Sequence, residues 1–412
     1  MKNTLTILTL FSMLSACNTG NKPPDSTGKG KDTASFDQDL NFLHHHLGNM
    51  VLLKSPEDSS MVVVAGDYQA RVMTSSARGL SGKSYGWINY ALIDSGTYNP
   101  HINAFGGEER FWLGPEGGQY ALFFPPGKAF EFQYWQTPGL IDTAYFEEAY
   151  RNDQEVVYTK QGALQNYAGT TFHVGIRRRI SLLRRAEIVS RLGIDLPAGL
   201  ASVAYQTENT VTNTGSNAWN KESGLLSIWL LGMFTPSDKT VIVVPFKPLP
   251  AARDYITDDY FGKIPPEYLQ IRDSLLLMKA DGRRRGKIGL APEVALPLSG
   301  SIDTESGAIT LILFSIDPSG AYVNSKWEQQ QEPYKGDVAN CYNDGPLEDG
   351  KQMGPFYELE SSSAARPLSP GDSMVYRQTT VHLEGDRAAL DALAQRLWHL
   401  SITDIASAFN KK

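Results

Sequence analysis

Two carboxylates two residues apart, Glu358 and Glu360, stand in the aromatic and apolar run FYELESSSAARPLSPGD. If that run is a strand, side-chain alternation puts both on one side. Charged groups are seldom buried unpaired, so that side is expected to be wet, ion-paired or a binding surface. A denser stretch, Asn99 to Gly127, sets His101, Glu108, Glu109 and Arg110 between paired glycines and beside Phe111 and Trp112. Aromatic faces stack on the apolar faces of sugar rings, and carboxylates and Arg hydrogen-bond hydroxyls, so the mixture suits a polar-plus-aromatic pocket. The same residues also suit a Gly-rich loop with solvated charges and Trp112 in the core.

A third cluster is FHVGIRRRISLLRR, with five arginines between Arg177 and Arg185. In strand register His173, Arg177 and Arg179 share one face, and Phe172, Val174, Ile176, Arg178 and Ile180 share the other. Arg forks suit carboxylates or sulfates, which leaves two readings open: an anionic sugar, or a solvated sheet face paired with acids. Gly79, Gly82 and Gly86 precede Trp87 and Asn89, but they form no phosphate fingerprint opening a helix. His44, His45 and His46 are consecutive, and on a helix such residues point in different directions and cannot chelate one ion. Without a supporting Cys or carboxylate pattern, neither a metal nor a cofactor is expected. The chain also lacks a Walker loop, a GxSxG elbow and an HExxH motif.

The elements that must position these residues are mostly strands. MVVVAGDYQARVMTSS, QYALFF, FEFQYWQT, EVVYTKQGALQNY, TTFHVGIRRRISLL, SVAYQTENTVTN, LLSIWLLGMF, TVIVVPF and AITLILFSI are short β-branched or aromatic runs. Turn residues separate them, as in SPEDSS, NTGSN and DPSG. Many short strands with such punctuation indicate an all-β sandwich or barrel. Helices are expected near the ends, where Phe36, Leu40, Leu43 and Leu47, and again Leu390, Leu393, Leu397 and Leu400, recur at helical spacing. Tyr268 to Lys279 reads either as a helix or as a strand entering a hairpin at Asp281-Gly282, with GKIGL returning. Residues 36–412 are expected to form one large β domain.

The N-terminus reads MKNTLTILTLFSMLSAC: a charged Lys2, an apolar run from Leu5 to Leu14 that is too short to span a bilayer, then small residues. The ending resembles a bacterial lipoprotein signal of residues 1–16, with Cys17 lipidated. Residues 17–35 are polar and rich in Gly, Pro, Ser and Lys, as a flexible tether would be. The partner expected at that end is a membrane, held through the lipid on an exported protein at the periplasmic face or outer membrane. The chain of 412 residues has 2 cysteines, so Cys341 is left without a disulfide partner. A formal net charge of −7 argues against nucleic acid, whose binding needs cations for its phosphates.

The segment FYELESSSAARPLSPGDSMVYRQTTVHLEG resembles the closing part of galactose-mutarotase-like proteins of the aldose 1-epimerase type. NTVTNTGSNAWNKESGLLSIWLLGMF looks like their central strand pair, and GGEERFWLGPEGGQYALFF like their early Arg-bearing loop. A set of short motifs, among them GWIN, DGRRRGKIGL and NCYNDGP, is closer still to an exported bacterial family whose function is unassigned. The resemblance implies a β-supersandwich cupping a sugar in an open concave face. It gives Glu360 the place of the catalytic base and Arg110 that of a sugar-contacting arginine, with Glu358 one row along and Asn340, Tyr342, Asn343 and Asp344 on the rim. The family's acid is a histidine in the central stretch, and Asn213 to Phe234 contains none, so the acid role falls to His101 or His173. The function implied is a membrane-anchored carbohydrate-binding protein or a sugar epimerase. The alternatives are an accessory polysaccharide lyase or hydrolase, and a non-catalytic structural lipoprotein.

Overall fold

Short β-branched and aromatic runs build three antiparallel sheets across residues 34–347 and 349–409, the residues described by a computed structural model. The signal segment, Cys17 and the tether up to residue 33 lie outside the described residues. Ten strands form the largest sheet, in the order Leu269–Ile271, Leu275–Lys279, Thr240–Pro245, Leu298–Asp303, Ala308–Phe314, Ser373–Glu384, Ala201–Asn213, Thr171–Leu182, Glu155–Gln165 and Glu147–Arg151. Six form the second, in the order Ile256–Thr257, Gly286–Leu290, Ala339–Asn343, Tyr357–Ser362, Ser227–Phe234 and Arg110–Gly114. Met50–Lys54, Met61–Ala65 and Arg71–Ser76 make a small third sheet.

The two large sheets are layered as a sandwich, and alternation along each strand decides what faces the middle. Phe111, Leu230, Leu359, Cys341 and Ile288 from the six-stranded sheet join Ile242, Leu276, Ile312 and Tyr205 from the ten-stranded sheet in one buried cluster. Polar contacts cross the same gap: Ser301 and Tyr357 hydroxyls lie 2.8 Å apart, and Ser361 donates to Gln378 at 2.7 Å. The outer face of the larger sheet contributes Val243, Leu277, Leu311 and Val381 to a second cluster, closed by Leu390, Leu393 and Trp398 of the C-terminal helix.

The end helices form where spacing and caps predict them. Ser35 and Gln38 make a capping box for Phe36–His46, which buries Phe36 and Leu43. Asp386 caps Arg387–Trp398 by accepting from Ala389 N–H at 2.8 Å. The expected terminal helix breaks at His399, in the left-handed region at φ 55°, and a short helix Ile402–Ala406 follows from a Ser401 cap. A further helix, Arg185–Leu192, interrupts the strands.

Other expectations fail, each for a tertiary reason. QYALFF and FEFQYWQT are not strands; the first is turn and bend, and the second holds only the 3-10 turn Phe132–Tyr134. Their aromatics pack on one another and on the sheet instead, Phe123 at 5.1 Å from Trp112 and 5.9 Å from Trp135. The hairpin partners are Leu269–Ile271 and Leu275–Lys279, whereas GKIGL crosses to the six-stranded sheet and pairs with Ala339–Asn343. The supposed central pair is split as well, with Ala201–Asn213 in the larger sheet and Ser227–Phe234 in the smaller.

Candidate functional site

Every residue of Tyr357–Ser362 and Ser227–Phe234 is buried, so both faces of the six-stranded sheet are covered at its centre. Tyr357 and Ser361 touch the larger sheet, so Glu358 and Glu360 face away from it, on one side as alternation requires. Directly opposed residues share a face. Glu360 stands between Leu231 and Asn340, with Arg110 beyond Leu231; Tyr342 stands between Glu358 and Lys287; Trp229 opposes Trp112. A strip of acids, cations, indoles and a phenol therefore lines one surface.

Glu360 is asymmetrically held. Its Oε2 accepts from Lys287 Nζ and from Trp229 Nε1, each at 2.9 Å, while Oε1 is buried with no partner among the described residues. Glu358 pairs with Arg110, whose guanidinium lies 4.7 Å from the Trp112 ring centre. Burial pushes Glu358 above the ordinary carboxylate range against the pull of Arg110, and neighbouring Glu360 adds to the push. Lys287 sits 4.8 Å from the Trp229 ring. Burial pulls its ammonium down, but Glu360, Glu116 and Glu358 outweigh that and raise it, so it stays a fixed cation.

Two further acids face Lys287. Glu116 accepts from Trp135 Nε1 at 3.0 Å and is raised by burial, with Lys287 opposing. Asp337 accepts the Tyr260 hydroxyl and is raised to about 6 by burial, against that bond and Lys287. Gly289 makes the room, since a Cβ there would lie 1.8 Å from Asp337 Oδ2.

The open hollow expected from the resemblance is not what the chain builds. Glu360 is 0% exposed and Glu358 6%, while the Lys287 side chain is 12% exposed. Loop residues crossing the face account for this, with Trp135 and Trp327 stacked at 5.9 Å. Glu116, Tyr260, Trp327 and Asp337 are partly exposed, so the strip meets solvent on the Lys287 side.

The remaining predicted residues lie elsewhere. His101 is half-buried behind Trp135, with Nδ1 donating to the Trp135 carbonyl at 2.6 Å and its ring stacked on Phe132. His173 is exposed on the outer face of Thr171–Leu182 with Arg177 and Arg179, which pair with Glu208 and Glu155. Neither carboxylate of the opening motif touches that arginine strand. Glu108 and Glu109 point between the sheets: Glu108 to His382 at 2.9 Å, and Glu109 to Arg178 at 2.7 Å. Asn343 projects from the opposite face to Glu358 and accepts from Gly282 N–H at 2.9 Å, so it is not on the rim. Asp344 does reach it, accepting the Tyr342 hydroxyl at 2.5 Å.

Among the described residues no group of three or more His, Cys, Asp or Glu is placed to hold a metal, and both nitrogens of His46 are engaged, Nδ1 by the Phe42 carbonyl and Nε2 by Asp94. A cavity of about 380 Å³ lies far off, beside Arg78 and Arg185, but those cations are taken by Glu384 and by the Leu200 and Pro197 carbonyls. Lys287, Trp229, Glu116, Tyr260 and Asp337 were missed from sequence. Lys287 had a signal, since alternation with Ile288 in GKIGL puts the two on opposite faces; the loop acids had none.

No curated protein matches the chain in sequence. Among solved structures it is similar to the Slr1438 protein of Synechocystis sp. PCC 6803, at 10% identity and TM-score 0.48, over 82% of this chain and 96% of that one. It is similar to a galactose mutarotase-like protein from Lactobacillus casei at 13% identity and TM-score 0.45, over 82% and 99%. A putative aldose 1-epimerase from Escherichia coli K12 aligns at 11% identity and TM-score 0.43, over 82% and 100%. The latter two are of the kind that the sequence resemblance names. Residues 34–409 match the family of unknown function DUF6786, and the chain belongs to that family.

Proposed function

We propose that the strip around Glu360 binds a carbohydrate, with Glu360 as the acceptor for a ring hydroxyl and, if a reaction follows, as the base of an epimerase-type step. One observation carries this: Oε2 is fixed by an ammonium and an indole, while Oε1 is buried with no partner. Leaving a buried acceptor unmade costs about 1–3 kcal/mol, and a ligand hydroxyl would recover that. Of the aromatic rings nearby, Tyr260 and Trp327 are partly exposed and supply flat apolar faces for a sugar ring. Binding is better supported than catalysis. His173 is on the wrong face of another sheet, His101 stacks on Phe132 and donates to the Trp135 carbonyl, and neither predicted acid contacts Glu360, whose bonds come from Trp229 and Lys287.

The test is a titration of the full chain with neutral hexoses, followed by ligand-observed NMR, together with polarimetry of anomer interconversion. Saturable binding that Glu360→Gln weakens is expected, and a chain that binds no saccharide overturns the reading. The same proposal has the protein anchored to a bacterial membrane by lipid on Cys17. Cys17→Ser is then expected to move the protein into the soluble fraction, and a variant that stays in the membrane pellet contradicts the anchor.

A further inference from the structure

Around Lys287 the acids outnumber the cations, which bears on the kind of sugar bound and rests on the carbohydrate reading above. Arg110 is taken by Glu358 and Lys287 by Glu360. Glu116 and Asp337 both feel Lys287, and Asp337 also feels Lys326 more weakly, yet their own hydrogen bonds come from neutral donors, the Trp135 indole and the Tyr260 hydroxyl. Both are partly exposed, above the fully buried Glu360 with its unpartnered oxygen. Burial raises both acids, as it does for carboxylates short of positive charge. Beside them stand the stacked rings of Trp135 and Trp327, 24° from parallel, and the Tyr260 ring.

Carboxylates bordered by aromatic faces are the chemistry that recognises an ammonium, through charge-assisted hydrogen bonds and cation–π attraction. An anionic substituent at the same place would meet like charge. We propose that the saccharide taken here carries an amine, its ammonium reaching Glu116 and Asp337 while a ring hydroxyl donates to Oε1 of Glu360. The arginines Arg177 and Arg179, which suggested an anionic sugar, stand on the far face of the other sheet and play no part.

The full chain is titrated with glucosamine, galactosamine and mannosamine, each beside its parent hexose, its N-acetyl derivative and its uronic acid. At least one amine is expected to bind about tenfold or more tightly than its neutral and N-acetyl counterparts, the size of one hydrogen bond to a charged group, and the uronic acids weakest. Glu116→Gln and Asp337→Asn, both near-isosteric, should each bring amine affinity down to that of the parent hexose, with thermal melting at neutral pH no lower than in the unmodified chain. If the hexoses bind and the amines bind no better, the charge inference is wrong and the carbohydrate reading survives. If no member of the panel binds, both are wrong.

Discussion

Two pairs of glutamates, almost alike in sequence, have opposite fates. Glu108 and Glu109 are fully buried between the sheets, and all four of their oxygens are engaged. Ser75 and His382 hold Glu108, and Arg178 and Gln378 hold Glu109. Glu358 and Glu360 are nearly as buried, yet Glu360 keeps one oxygen without a partner. Between these two pairs, burial does not separate the structural acids from the candidate functional ones, and leftover hydrogen-bonding capacity does. A closed network stabilises one arrangement, whereas an unfinished one is a place where a ligand adds something.

The sharpest way to break that contrast is to remove one partner from each pair. Arg178→Met leaves Glu109 as an uncompensated buried charge, and a loss of about 3–5 kcal/mol in chemical denaturation is expected. Glu360→Gln keeps the shape and leaves Lys287 near Glu116 and Glu358, so a loss under about 2 kcal/mol is expected, with the main effect on ligand binding. Equal losses in the two variants would mean that Glu360 is as structural as Glu109. Gly289→Ala probes the same acid by steric means: the new Cβ would lie 1.8 Å from Asp337 Oδ2 and 2.7 Å from Asn340 Nδ2, so Asp337 must move, with a loss of melting temperature and amine-bearing ligands weakened more than neutral ones.

Why the sequence showed part of this and hid the rest follows from how each residue is placed. Period-two alternation is local, so the shared face of Glu358 and Glu360, and the split of Arg178 from Arg177 and Arg179, were legible. Which sheet a strand joins is not local. GKIGL has the turn chemistry of a returning strand, but it crosses to the other sheet and carries Lys287 to Glu360. The aromatic runs QYALFF and FEFQYWQT have strand composition but pack as covering loops, because their rings gain more against Trp112 and Trp327 than a ladder would give. Glu116 and Asp337 lie in loops without periodicity, so only the folded chain reveals them.

Asp337 separates a strained acid from a satisfied one by pH alone. Its ordinary value is 3.8, and in the folded chain burial raises it to about 6. The folded state therefore binds this proton more tightly than the unfolded state does, and stability from this group is greatest below about 3.8. It falls as pH rises toward 6 and is level above that. Asp337→Asn cannot titrate, so denaturation midpoints of the variant should decline less between pH 4 and 6 than those of the unmodified chain, and the curves should run parallel above pH 7. A bound amine would cancel the same slope, because its charge lowers the carboxyl back toward its ordinary value. Unmodified chain and Asp337→Asn with identical pH profiles would instead mean that Asp337 is already compensated in the fold, and that the acid surplus around Lys287 is smaller by one.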